Sequence, residues 1–450
     1  MNPVALHPRT ALLTLLAPAL LCAFAPAQAA WTRLYPSQSP TPCARFGVAT
    51  DEAHGETILL FGFSTPLGAV NDSWRWTGTD WQQINAALPP LRHDHRLAFD
   101  TRRQLVVMFG GQTVNTQIYF QDIWEWDGTQ WTANTPSASP PARAGHAMAY
   151  DRSRGTLVVH GGHNNAPLDD TWEFDGTAWH NLTQATRPVL TGDAAMAFDP
   201  VNQNILLYGD NTYSWDGANW QFHTPSTPPG IRVGLRMVTD LERSRVVLYG
   251  GNQADFTTWE WDGSQWHELF LASPGPRSDF ALAYDPTHHQ VVFHGGFDSG
   301  LQLYPSDTFV YDTPNPASVT AYGAGCPGSV GIPLLTNAPY SLPWLGDTLT
   351  MQVGNLAPTA PVAMFATGFV PTAPRDLGIF GMPGCNGLLV PIPIDFEVVN
   401  AGSATWSTLI PNLPVLVGAH LYQQVFVIEP GVNPTGVIVS NGSDMVVGVR

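Results

Sequence analysis

An all-β fold assembled from repeated small sheets is what this sequence predicts, and three observations carry that prediction. A block of roughly 40–50 residues recurs along the first two thirds of the chain, a period that belongs to arrays of four-stranded sheets. The 450 residues include 42 glycines, 40 prolines and 16 tryptophans, with only 12% charged residues, which suits short strands joined by tight turns. No window shows the apolar period of a long amphipathic helix.

The first 29 residues stand apart from the fold. Arg9 supplies a positive start, Ala11 to Leu21 is an apolar run, and Ala27-Gln28-Ala29 has the small-x-small form of a signal-peptidase site. The run is too short for a membrane anchor. Leu21 precedes Cys22 where a lipoprotein signal wants a small residue. The expectation is a signal peptide over 1–29 and an exported mature chain beginning at Ala30. A formal charge of −17, with every basic residue an arginine, argues against nucleic acid and anionic lipid as partners.

The clearest repeat unit reads Pro140-Pro141-Ala142-Arg143-Ala144-Gly145-His146-Ala147-Met148-Ala149-Tyr150-Asp151. Leu157-Val158-Val159-His160-Gly161-Gly162 follows, then Asp170-Thr171-Trp172-Glu173-Phe174-Asp175-Gly176 and Trp179. Copies recur around Arg92, Gly110-Gly111 and Trp131, around Arg232, Gly250-Gly251 and Trp266, and around Arg277 and Gly295-Gly296. Degraded copies lie at Phe61-Gly62 and Tyr208-Gly209. Each unit reads as four strands. An Ala-Met-Ala-Tyr strand comes first, then an apolar strand ending in the glycine pair. Next is a Trp-x-Trp strand with both aromatics on one face, and last a strand begun by tryptophan. The intervening Asp-Gly predicts a two-residue hairpin with positive φ at both positions.

Six units but only five fourth-strand tryptophans (Trp81, Trp131, Trp179, Trp220 and Trp266) leave one strand missing. Trp31-Thr32-Arg33-Leu34 matches it. A first strand that completes the last sheet would close a six-bladed β-propeller over residues 30–315 and leave no free edge. The recurring Arg-x-Gly-His, Gly-Gly and Trp-x-Trp-Asp-Gly-x-x-Trp elements resemble the kelch-repeat family, in its bacterial secreted form. The resemblance covers roughly residues 31–312. It implies the fold; kelch rings host enzymes, lectin-like binders and scaffolds alike.

Beyond Asp312 the repeat stops. Residues 316–450 are expected to form a smaller β-sandwich-like domain, with strands near Thr348–Val353, Val362–Thr367, Gly387–Val390 and Gln424–Ile428. Its two cysteines, Cys326 and Cys385, are expected to form a disulfide after export. Cys43 in the first unit reads as a packed, inert thiol.

Strand directions put the Arg-x-Gly-His segments and the loops after the glycine pairs on one rim, where a ligand site near the axis is expected. Recurrence gives Arg92, Arg143, Arg232 and Arg277 a structural reading. Asp94, Asp193 and Asp279 replace glycine in alternate units and form a candidate acidic inner ring. Such a ring would suit a cation or sugar hydroxyls, the plainer reading being that each caps its own turn. His95 and His146 occupy equivalent places beside them and complete the candidate ligand-binding set. His160 and His294 stand where other units have Phe or Tyr, and read as packed aromatics. The long loops Gly111–Gln121, Gly162–Asp169 and Gly296–Asp307 add aromatic and amide side chains to the same rim.

No metal-ligand spacing, nucleophile elbow, P-loop or dinucleotide fingerprint is found, so no catalytic residue, metal or cofactor is assigned. A propeller followed by a β domain is similar to galactose oxidase, yet that family's copper ligands cannot be placed here, and no motif of a kelch sialic-acid mutarotase maps. The expected function is a secreted, non-enzymatic, monomeric binding or scaffold protein that recognises an extracellular glycan or protein without membrane insertion. The alternative is a carbohydrate-active enzyme, an oxidase or epimerase, on the same face.

Overall fold

The computed structural model describes residues 30–448 apart from 66–67, 115, 184–186, 189, 191–193, 252–255, 272, 313–316, 339–340, 390–393 and 414–415. The expected signal peptide over 1–29, the segment joining the two units, and Asp193 lie outside the described residues. The chain divides into a unit spanning Ala29–Asp312 and a second one built from Thr313 onward.

The first unit contains six four-stranded antiparallel sheets among the described residues. Their inner strands are Gly47–Asp51, Arg96–Asp100, Ala147–Asp151, Ala195–Asp199, Arg236–Asp240 and Ala281–Asp285, in blades one to six. Each inner strand lies beside those of the two flanking blades, and the sixth meets the first, so the sheets form a closed ring. Blade six takes its outer strand from Ala30–Leu34, with Trp31 opposite Tyr311. The small alanines of the inner strands let six strands converge on one axis. The bulk sits further out, where Trp76, Trp81, Trp215, Trp261 and Trp266 are fully buried between blades.

Every inner strand ends in aspartate, and that residue shapes the turn that follows. Asp151 Oδ1 accepts the N–H groups of Ser153 and Arg154, both at 3.0 Å, and Oδ2 accepts Arg154 Nε at 2.9 Å. Asp100, Asp199, Asp240 and Asp285 repeat the pattern with Arg103, Asn202, Arg243 and His288.

The hairpin between third and outer strands differs from the expected form. In Asp127-Gly128-Thr129-Gln130 only the glycine has positive φ, at 92°. Asp127 instead uses its carboxylate to accept the N–H groups of Thr129 and Gln130 at 2.8 and 2.9 Å. A four-residue loop organised by an aspartate side chain thus replaces the two-residue turn.

In the second unit, a five-stranded sheet runs in the order Ser318–Tyr322, Val437–Val446, His420–Ile428, Val362–Gly368, Ile394–Val398. A three-stranded sheet of Leu334–Asn337, Thr348–Gly354 and Ala404–Leu409 shares its apolar core through Met351, Val353, Phe365, Trp406 and Val425. Cys326 and Cys385 are joined by a disulfide, both buried in that core.

Candidate functional site

The residue preceding each inner strand by two sits in the left-handed region in all five blades where it is described. Its φ is 62° at Arg45, 55° at Asp94, 63° at Gly145, 74° at Gly234 and 56° at Asp279. Glycine takes this conformation without steric cost and aspartate tolerates it, which explains why the two alternate there. These residues are linked to one another. The Asp94 N–H donates to the Arg45 carbonyl (3.4 Å), Gly145 to Asp94 (3.0 Å), Asp279 to Gly234 (2.9 Å) and Arg45 to Asp279 (2.8 Å). Among the described residues, an arc of four backbone hydrogen bonds therefore lines one mouth of the axial channel and fixes where its side chains stand.

The inner ring is mixed in charge. Asp94 Oδ2 lies 2.9 Å from His93 Nδ1 and 3.4 Å from Arg45 Nη1. Burial alone would raise the Asp94 carboxyl; the His93 bond and the charges of Arg45, His93 and Arg96 outweigh it and hold it well below the usual carboxylate range. Asp279 pairs with Arg236 Nη2 at 3.2 Å. Arg96 and Arg236 open the inner strands of blades two and five, where blades one, three, four and six have Gly47, Ala147, Ala195 and Ala281. In a ring of six, blades two and five are opposite, so the two arginines enter from opposite sides of the axis.

Both arginines line a well of about 70 Å³ below the mouth. Its floor is a waist of Val48, Leu97, Met148, Met196, Met237 and Leu282, one from each blade, which also bounds a cavity of about 180 Å³ opening on the opposite face. That far opening is spanned by the Arg152–Glu52 ion pair, at 2.6 and 3.0 Å.

His95 and His146 are not at the mouth. Both are fully buried between blades, their rings edge-on to Phe61 and Phe109 at 5.7 and 5.3 Å. Desolvation, reinforced by nearby arginines, pushes both well below the usual imidazole range, so they are neutral packing groups. A side chain directly before the inner strand points into the blade interface, and this takes them out of the ligand-binding set.

The repeat arginines are structural. Arg143 is fully buried and grips Asp170 with two bonds of 2.7 and 2.8 Å, the Gly161 carbonyl at 2.9 Å and the Pro141 carbonyl at 3.0 Å. Arg92 does the same with Asp122, Gly110 and Pro90. Arg232 and Arg277 anchor the equivalent loops through Thr257 and through Asp298 and Asp307. Cys43 is buried and its thiol is raised by desolvation, then by Asp72. Among the described residues no group of three or more His, Cys, Asp or Glu is placed to hold a metal ion.

Sequence reading missed Arg45, Arg96 and Arg236. Arg45 was hidden because it replaces a glycine or aspartate in a degraded copy. Arg96 and Arg236 could have been found as charges at a position otherwise held by glycine or alanine.

Six sheets closed on an axis, with Arg–Gly-Gly–Trp signatures in each complete unit, define a β-propeller of repeated kelch-type blades. The KLHDC2/KLHL20/DRC7 Kelch-repeats domain matches residues 18–210, which supports a kelch-repeat family for these blades. It is 28% identical over 113 residues to tRNA wybutosine-synthesizing protein 4 of Aspergillus fumigatus, covering 24% of this chain and 11% of that protein. Over 119 residues it is 28% identical to dynein regulatory complex subunit 7 of Chlamydomonas reinhardtii, covering 24% and 10%. The matches thus span about a tenth of the length of these curated relatives. The solved structure of YjhT aligns with 62% of this chain and 99% of its own, at 14% identity and a TM-score of 0.44.

Proposed function

We propose that this is an exported binding protein whose channel mouth holds an extracellular glycan. The supporting observation is the mouth itself. Backbone-fixed Asp94 and Asp279 alternate with Arg45, Arg96 and Arg236 around a well that ends on an apolar waist. Carboxylates accept from sugar hydroxyls, and guanidinium groups donate to hydroxyl, ring or carboxylate oxygens. An apolar floor suits the C–H faces of a sugar ring. The loops that rise beside the mouth add Tyr119, packed edge-on to His163, and Tyr304 against Phe297.

A glycan array followed by calorimetry on the full chain tests this reading. Arg96→Ala combined with Arg236→Ala is expected to weaken the best glycan at least tenfold. Asp94→Gly with Asp279→Gly, which keeps the left-handed backbone, should do likewise. Absence of any glycan hit, or affinity unchanged in both double variants, overturns the proposal. Turnover of the bound sugar would replace it with the enzymatic alternative.

A further inference from the structure

At four blade interfaces an aromatic residue of one blade's second strand, equivalent in position to Phe109, meets the ring just before the next blade's inner strand. Phe61 meets His95, Phe109 meets His146, Tyr249 meets Phe280 and His294 meets Phe46, with ring centroids 5.3–6.1 Å apart. Tyr208 and Leu235 share one buried cluster. Between blades three and four the same position is Ala194, facing His160. There a cavity of about 310 Å³ opens on the mouth-bearing face. Pockets that take small ligands begin at roughly 300 Å³.

The contrast with blade six isolates the cause. Trp220 Nε1 donates to Thr171 Oγ1 (2.9 Å), which lies 3.0 Å from His160 Nδ1. Trp81, Thr308 and His294 repeat this triad at 2.9 and 3.0 Å. In both triads the imidazole is wholly buried and Nε2 has no hydrogen-bond partner. In blade six the Phe46 ring packs against His294; in blade three the missing bulk of Ala194 leaves His160 on a chamber wall. Indole can only donate, so the arrangement that uses every proton gives the Thr171 hydroxyl hydrogen to Nδ1 and leaves hydrogen on Nε2. Burial lowers the His160 pKa to about 4, which keeps the ring neutral. The Pro188 carbonyl beside it acts on its charge without meeting hydrogen-bond geometry.

We propose that this chamber is a second subsite for an uncharged sugar ring, which would place its carbon face on Leu168, Leu190 and Ala194 and, with a small displacement of the wall that closes off His160 Nε2, a hydroxyl or ring oxygen on that nitrogen. His163 and Asn165 supply polar groups to the same wall. Ala147 and Ala194 line both the chamber and the arginine well, so neighbouring residues of one glycan can occupy the two. The inference rests on the glycan reading of this face, but the described lining of the chamber carries no formal charge and is addressed by different probes.

The probes are methyl β-D-glucopyranoside, methyl β-D-galactopyranoside and methyl α-D-mannopyranoside, read by saturation-transfer NMR and titration on the full chain. Ala194→Leu copies the filled interface of blade five, and His160→Phe copies the aromatic of blades one and two. At least one glycoside is expected to bind. Each variant should weaken it at least tenfold, with the Tm of Ala194→Leu equal to or above that of the parent. No glycoside bound by the parent, or equal binding by Ala194→Leu, overturns the chamber. Should Ala194→Leu misfold, unchanged binding in His160→Phe overturns the assigned donor. Glycan binding that depends on Arg96 and Arg236 but survives Ala194→Leu removes the chamber and leaves the mouth. Glycoside binding lost in Ala194→Leu, with no effect from the arginine variants, does the reverse.

Discussion

The indole nitrogen of Trp31 donates a 2.8 Å hydrogen bond to the hydroxyl of Thr258, 227 positions away. Trp81 bonds Thr308 at 2.9 Å across the same separation, and Trp220 and Trp266 bond Thr171 and Thr212. These four outer-strand tryptophans thus fasten to the third strand of the preceding blade. Trp131 and Trp179 lack such a partner, where the facing strands carry Ser73 and Ile123.

Trp31 is therefore where the ring shuts. Trp31→Ala should destabilise the propeller by about 3–5 kcal/mol, the usual cost of emptying a buried aromatic site. Thr258→Val, which removes only the hydrogen bond, should cost about 1 kcal/mol. Denaturant melts check both, and equal small effects would show that the first strand is not the clasp.

Arg143 makes two planar bonds to Asp170 from a fully buried position. Arg143→Ala should cost about 3–5 kcal/mol because Asp170 and the Gly161 carbonyl lose their donor. Arg143→Lys should recover little, since an ammonium cannot reproduce the fork. Full recovery by lysine in thermal melts would reduce the contact to simple charge.

Buried neutral histidines set a pH dependence. His160 titrates at about 4 and His294 at about 3 in the folded chain, against an ordinary value of 6.5. Between those values the unfolded chain binds the extra proton, so stability rises with pH and is lost as pH falls below 6.5. For His160 alone the loss at pH 5 is about 2 kcal/mol. The Tm should fall from pH 7.5 to pH 5, and His160→Phe with His294→Phe should flatten that slope. An unaltered slope would assign it to other groups.

The Cys326–Cys385 disulfide closes a loop with a sequence separation of 59 in the second unit. In the chain-entropy model its removal costs about 4 kcal/mol. Cys326→Ala with Cys385→Ala should lower the transition of that unit and leave the propeller transition in place. A shift of the propeller transition instead would contradict the division at Asp312.

The repeat was legible because its signals are local. Alternating apolar residues, glycine pairs and paired tryptophans recur within single blades, and a blade is short enough for one window to hold. Even the closing strand could be read, since Trp31-Thr32-Arg33-Leu34 copies a pattern visible elsewhere. The Asp-Gly turn was misread because a side chain, not the backbone alone, organises it: Asp127 accepts two N–H groups.

By itself the amino-acid order determined the strands, their grouping into blades, and the structural use of Arg92 and Arg143. Tertiary structure alone decided that Asp94 and Asp279 stand beside arginines, that His95 and His146 are sealed between blades, and that Ala194 faces His160 across a gap. Those partners lie in different blades, dozens of residues apart in the chain. Their pairing follows from how six sheets pack about one axis, and no local period records it.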